Sequence, residues 1–211
     1  MTSTPSNEII KEAMRVTMPM FPEVAVRELV ANALIHQDFS VTGAGPMVEI
    51  FSDRIEITNP GQPLVDPLRF LDSPPKSRNE ILTALMRRFQ ICEERGGGID
   101  KAVFHIESFQ LPAPEFEKPE GFTRVTIFAH KSLSQMDRTE RVRACYLHAC
   151  LKRVRKDYLT NKSLRNRMGI DPKNKAMISR YIREALEDGM IIPYDKDAPP
   201  KLMKYLPYWV R

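Results

Sequence analysis

The chain's 211 residues are enough for one large domain or two small ones, and 42% hydrophobic with 28% charged residues excludes wholesale disorder. No apolar run nears the roughly 18 residues of a membrane span, and Cys92, Cys145 and Cys150 form no CxxC pair, so membrane partners and disulfide or cysteine-zinc scaffolds are excluded and a cytoplasmic protein is expected. The net charge of +5 conceals two halves: residues 131–211 hold 19 Lys+Arg against 9 Asp+Glu, residues 1–130 hold 13 against 18, and a basic C-terminal part points to nucleic acid.

In chain order, residues 1–22 read as a leading segment with a short helical stretch and the Met18–Pro22 run. Glu23 to Gln37 then predicts a helix, with Val26, Leu29, Val30, Ala33 and Leu34 at helical spacing and Pro22 suited to its first turn. After a loop around Gly43–Pro46, Met47–Phe51 and Ile55–Thr58 alternate apolar and polar residues as strands do. Asn59-Pro60-Gly61 ends the second strand, and a Pro-rich loop, long enough for a lid or binding loop, runs to Pro75. Helices follow over Asn79–Phe89 and from Ile99 to about Phe109, separated by the Glu93–Gly98 segment, and strands near Glu115–Glu117 and Phe122–Ala129 complete a domain over 23–130.

Residues 131–136 read as a linker to a second domain, 137–211. Helices are expected near Asp137–Asp157, at Asn161–Met168 and at Lys173–Asp188, the last ended by Gly189 as a C′ residue. Short strands at Met190–Tyr194 and Leu202–Tyr205 flank a tight Asp195–Pro200 turn. Helix, helix, turn, helix, β-hairpin is the order of a winged helix-turn-helix. Cys145, His148 and Cys150 are expected as buried helix residues rather than a ligand cluster.

Three signals carry chemistry. Glu28, Asn32 and His36 recur every four residues and make one polar stripe on an otherwise apolar helix. A carboxylate and an amide oxygen a turn apart can hold magnesium or a water beside a phosphate; the same stripe also suits a face turned to solvent. Gly96-Gly97-Gly98 before a helix lets a phosphate approach backbone amides, as it would equally serve a flexible loop, and it is no Walker A loop. Asn59-Pro60-Gly61, alone, marks only a turn after a strand.

Taken in order, these segments resemble the degenerate histidine-kinase-like (GHKL) ATPase domain at the C-terminus of RecG-related and transcriptional-regulator proteins. The matching residues are Arg27-Glu28-Leu29-Val30 through Asn32, His36, Asp38, Phe39 and Ser40; Ile50–Ile57 leading to Asn59-Pro60-Gly61; Arg78-Asn79; and Glu93–Ile99. They span about residues 22–130. The wider superfamily includes gyrase B, MutL and the sensor kinases. By resemblance, Glu28 stands at the water-activating carboxylate, Asn32 at the magnesium ligand, and Asn59 and Gly61 at the adenine-reading turn. Gly96–Gly98 then form the lid, with His36, Asp38, Arg78 and Asn79 among the cofactor-binding positions. Asn59 replaces the aspartate of that turn, and the turn's second glycine is missing, so ATP with magnesium is the implied cofactor and hydrolysis is expected to be slow or absent. The Alba- or Schlafen-like domain that often precedes such a region is not among these residues, which implies a C-terminal piece or a trimmed member.

On the Lys173–Asp188 helix, Ile178, Ile182, Leu186 and Tyr181 form an apolar face. Lys173, Lys175, Ser179, Arg180 and Arg183 are left on the other side, as a helix in the major groove requires. Lys162, Arg165 and Arg167 on the preceding helix are expected to hold the DNA backbone; a protein-contact role for the same domain stays open. The fold class expected is α+β, a GHKL-type α/β sandwich followed by a winged helix-turn-helix domain. The function expected is a homodimeric DNA-binding transcriptional regulator that binds duplex DNA and uses its first domain to sense a nucleotide or to dimerise. The alternatives are an active ATPase coupled to DNA binding and a structural module with a vestigial ATP pocket.

Overall fold

The computed structural model describes residues 6–11, 14–74, 76–92 and 97–210. The chain divides into two compact units, Met1–His130 and Lys131–Arg211.

The first unit opens with an antiparallel hairpin, β1 (Ser6–Lys11) and β2 (Met14–Pro19), in a register that pairs Ser6 with Pro19 and Lys11 with Met14. The helical stretch expected within residues 1–22 is thus replaced by strands. Ile9, Ile10, Val16 and Thr17 are β-branched and prefer extended backbone, and the pairing that rewards them joins two segments no helical reading connects. Helix α1 follows at Glu23–His36. It lies against a four-stranded antiparallel sheet whose order is β3 (Met47–Ile50), β4 (Arg54–Pro60), β6 (Phe122–Phe128), β5 (Glu115–Glu117). Helices α2 (Glu80–Arg88) and α3 (Gly98–Ser108) come between β4 and β5.

The sheet's inner face and two helices share one core: Ala25, Leu29 and Ala33 of α1, Ala102 and Ile106 of α3, Ile55 and Ile57 of β4, Val125 and Ile127 of β6. A second, smaller cluster joins the opposite side of α1, Ala31 and Ile35, to Met86 of α2. Apolar contacts on two sides leave α1 no broad solvent face. A fully buried side chain such as Ile106 contributes about 1.5–3 kcal/mol, and its truncation to Ala costs about 2–5 kcal/mol. Asn59 and Pro60 belong to β4 itself, so the strand runs two residues further than the turn signal suggests.

The second unit is helical with a small sheet: α4 (Arg138–Val154), α5 (Asn161–Arg167), a 3-10 turn at Pro172–Asn174, α6 (Lys175–Glu187), then β7 (Ile191–Pro193) paired antiparallel with β8 (Tyr205–Pro207). Local chemistry sets the boundaries. The Asp137 carboxylate accepts from the Glu140 amide while Glu140 accepts from the Asp137 amide; Thr160 and Ser163 repeat the arrangement at α5. Gly189, at φ +68°, takes the left-handed conformation that ends α6. The core is built from Ile178, Tyr181, Ile182 and Ala185 of α6 with Val142, Cys145 and Tyr146 of α4, Leu164 of α5, Ile191 and Leu206. Cys145, His148 and Cys150 are buried helix residues, and no group of three or more metal-ligating side chains forms among the described residues.

Two boundaries differ from expectation. The strand expected at Leu202–Tyr205 lies at Tyr205–Pro207, because the Leu202 amide closes a turn on the Pro199 carbonyl and Tyr205 pairs both with Pro193 and, by two backbone bonds, with Leu159. Lys173 sits in the 3-10 turn ahead of α6 rather than on the helix, since Asp171 caps that turn and Pro172 opens it.

Candidate functional site

A cleft of about 620 Å³ opens in the first unit. One wall is α1, which presents Glu28, Asn32 and His36 to it; the polar stripe therefore faces the cleft, not bulk solvent. The floor is the inner face of the sheet. Because alternate residues share a face and the register pairs Asn59 with Thr123 and Ile57 with Val125, these four side chains lie together there. Gly98, at the start of α3, also lines the cleft, as do Gln62, Leu64, Val65, Phe70, Lys76 and Arg78 of the segment after β4. Phe70 is fixed edge-on against Phe116 of β5 at 5.4 Å.

Glu28 is 2% exposed. Its Oε1 lies 3.3 Å from Lys101 Nζ on α3 and 3.6 Å from an Arg27 guanidinium nitrogen, so a buried carboxylate meets two cations. The Asn32 side-chain N–H donates to the Glu28 carbonyl at 2.8 Å, which leaves its Oδ1 as an acceptor. Gly98 is where α3 meets this pair: a Cβ there would sit 3.1 Å from Asn32 Nδ2 and 3.2 Å from Glu28 Oε2. Burial, and then the Arg78 charge, lower the pKa of His36, so the neutral ring is favoured. Asn59 is 5% exposed, and its Nδ2 donates to the Pro60 carbonyl at 3.2 Å. Thr123 Oγ1 donates to the Gly61 carbonyl at 2.8 Å.

The structure thus brings Glu28, Asn32, His36, Asn59, Arg78 and Gly98 to one cleft. Asp38, Gly61 and Asn79 do not line it and hold its frame instead. The Asp38 amide donates to the Pro60 carbonyl, and its carboxylate accepts from Arg78 at 2.8 Å. Two Ser40 hydrogen bonds, more than Arg78, lower the Asp38 pKa. The Asn79 Nδ2 donates to both Ile35 and Gln37 carbonyls at 2.8 Å, satisfying the end of α1. Gly61, at φ +104°, fits between Asp38 and Arg78 where a Cβ would meet Asp38 Cβ at 2.9 Å. Gly97 is the N-cap of α3, and Gly96 lies outside the described residues. Lys101, Phe70 and Thr123 escape a reading of the sequence, because each reaches the site only through long-range pairing.

A carboxylate and an unused amide oxygen one helical turn apart, a helix start bared by glycine and a buried neutral amide on an apolar floor fit a nucleotide with its divalent ion. Asn32 and Glu28 would hold the ion's side, Gly98 the phosphates, and Asn59 the base.

In the second unit, Lys175, Ser179, Arg180 and Arg183 are exposed on α6, and Lys162 is exposed on α5. Part of this set has partners. The Ser179 hydroxyl donates to the Lys175 carbonyl and accepts from Asn161, and the Arg180 Nε lies 3.8 Å from Glu184. Arg165 is half-buried. Arg167 is 7% exposed, packed into the unit, and its burial removes it from any phosphate-contacting face.

Residues 43–127 match the model of a family described as "Putative ATP-dependent DNA helicase recG C-terminal", an ATPase-like domain. The match contains Asn59 and Gly98 and begins after α1, so the Glu28 stripe falls outside it. No curated protein matches the chain. Among solved structures, the DIP2311 protein of Corynebacterium diphtheriae is similar in fold, with a TM-score of 0.57 at 18% identity over 97% of this chain. The chain spans 43% of the length of that protein.

Proposed function

We propose that the chain is a DNA-binding regulator whose first unit binds a nucleotide with magnesium and turns it over slowly or not at all. The observation that carries this reading is the convergence of Glu28, Asn32, Asn59 and Gly98 on one cleft, from three segments far apart in sequence. The match of residues 43–127 to an ATPase-like family supports the nucleotide, and the first unit is read as GHKL-type on that ground. Slow turnover follows from Lys101. A general base must offer its carboxylate to the attacking water, and Glu28 is engaged by the Lys101 ammonium at 3.3 Å.

The second unit is read as a winged helix: two helices, a tight turn, the exposed basic α6 and the β7–β8 hairpin with its Leu159 bridge fall in that order. Lys162, Lys175, Arg180 and Arg183 would face duplex DNA, with Arg180 the candidate for a guanine contact.

Calorimetric titration of the protein with ATP and magnesium tests the first half. Saturable binding that Asn32→Ala abolishes, with the fold retained, is the expected result; no heat at millimolar ATP refutes it. Fluorescence anisotropy on mixed duplexes at several salt concentrations tests the second half. Affinity falls with a log–log slope of about −0.9 per phosphate contacted. Lys162→Ala weakens all sequences alike, and Arg180→Ala costs about 1–3 kcal/mol of discrimination at one position. A folded protein that binds no duplex at low salt leaves α6 a protein-contact helix.

A further inference from the structure

We propose, resting on the nucleotide reading above, that the base end of the cleft does not select adenine and takes either purine through Asn59. The floor locates the base end. Ile57, Asn59, Thr123 and Val125 share one sheet face, three of their neighbours in the lining (Leu29, Ala33, Phe116) are apolar, and Asn59 is the polar group set deepest among them. A flat heterocycle fits a largely apolar floor with a few polar groups to orient it. The ionic groups, Glu28 with its Lys101 partner, belong to the α1–α3 end where Gly98 starts its helix.

The chemistry of the reader then decides what it reads. A side-chain amide carries two N–H donors and one oxygen. In Asn59 one N–H is spent on the Pro60 carbonyl at 3.2 Å, and no other hydrogen bond engages the side chain among the described residues. What remains is one N–H and the oxygen, one donor and one acceptor. Adenine offers an amino donor beside a ring-nitrogen acceptor. Hypoxanthine and guanine offer a ring N–H donor beside a carbonyl acceptor. Read along the purine edge, adenine's N7 and 6-amino group give acceptor then donor, and the O6 and N1–H of hypoxanthine or guanine give the same order one position further on, so an amide held by Pro60 meets either pair with two hydrogen bonds when the base moves by one edge position. A carboxylate in this place would present acceptors only and would repel the purine carbonyl. The Thr123 hydroxyl donates to the Gly61 carbonyl, so it brings no second donor to the base.

The test is a set of calorimetric titrations of the whole protein with the magnesium salts of ATP, ITP and CTP, ITP carrying the carbonyl edge without guanine's extra amino group. The proposal expects ATP and ITP affinities within about threefold of each other and CTP at least about tenfold weaker, because a pyrimidine reaches Asn59 with less of the apolar floor covered. Asn59→Leu, whose folding is checked by circular dichroism, lowers ATP and ITP affinity by a common factor of about ten, the loss of one or two neutral hydrogen bonds. ATP binding with ITP about a hundredfold weaker overturns this proposal and leaves the nucleotide reading intact. No binding of any of the three overturns the nucleotide reading, and this one with it.

Discussion

Replacing Gly61 by alanine tests whether the frame of the cleft is what holds it open. Two effects act together. At φ +104° the backbone is in a region that side-chain-bearing residues rarely adopt, which costs about 1–3 kcal/mol. The added Cβ would also lie 2.9 Å from Asp38 Cβ and 3.2 Å from the Arg78 guanidinium carbon. Carbon atoms pack best about 3.5–4.0 Å apart, so Asp38 must retreat by roughly 0.6–1 Å. That movement disturbs its 2.8 Å bond to Arg78. Asp38 and Arg78 are both partly open to solvent, so the loss of their bond adds little to that strain. Gly61→Ala is therefore expected to destabilise the first unit by about 1–3 kcal/mol, most of it backbone strain. Amide hydrogen exchange in increasing urea, read by mass spectrometry on peptides from β4 and β6, isolates that unit from the other. A change in opening free energy under about 0.5 kcal/mol, the ordinary scatter of surface substitutions, would refute the reasoning.

Three further outcomes are expected. His36 has a lowered pKa when folded and an ordinary one near 6.5 when unfolded, so the unfolded chain takes up the extra proton. Its stabilisation is complete above about pH 6.5 and is lost as pH falls through the window beneath. His36→Gln should flatten the fall in urea midpoint between pH 7.5 and 5.5, about a unit either side of that value; an unchanged slope contradicts the assignment. Lys101→Met leaves the buried Glu28 carboxylate with Arg27 alone at 3.6 Å. It should cost about 1–3 kcal/mol, less than for a wholly buried pair because Lys101 is one-third exposed, and adding Glu28→Gln should recover most of the loss in a double-mutant cycle. Burial pushes the Cys145 thiol up to about 12 and encloses Cys150, whereas Cys92 lines the cleft. A thiol-titrating reagent should find one fast cysteine and two that react only on unfolding, and three equal rates would contradict the packing.

What can be read from the sequence is what local spacing encodes. The apolar periodicity of α1 and the alternation along β3 and β4 depend on neighbours within one turn or one pleat, and both elements stand where the pattern places them. Glu28 and Asn32 share a stripe for the same reason. What depends on chain closure was hidden. Gly61 and Asn79 look like ligand-binding positions, yet one fits between Asp38 and Arg78 and the other caps α1 across more than forty residues. The β1–β2 hairpin lacks a turn signal strong enough to overrule a helical reading. Arg167 reads as a surface cation because nothing in Asn161–Arg167 reveals which side of so short a helix faces α6. Lys101 is three residues past Gly98 in an ordinary helix, and only the approach of α3 to α1 gives it Glu28 as a partner.

That approach makes the two walls of the cleft unequal in compliance. On the α1–α3 side even a Cβ at Gly98 would crowd Asn32 Nδ2 at 3.1 Å and Glu28 Oε2 at 3.2 Å, which leaves little room for inward movement, and outward movement would expose the shared Ala25–Ile106 core. The loop wall, residues 62–74 with Lys76 and Ser77, is irregular backbone with one short 3-10 turn, tied down at Arg78 and Asn79. Differences in ligand bulk therefore fall mainly on the loop. The helices act as an anvil whose position is set before any ligand arrives, and selection for a larger or smaller ligand would leave its marks between Gln62 and Ser77 rather than on α1.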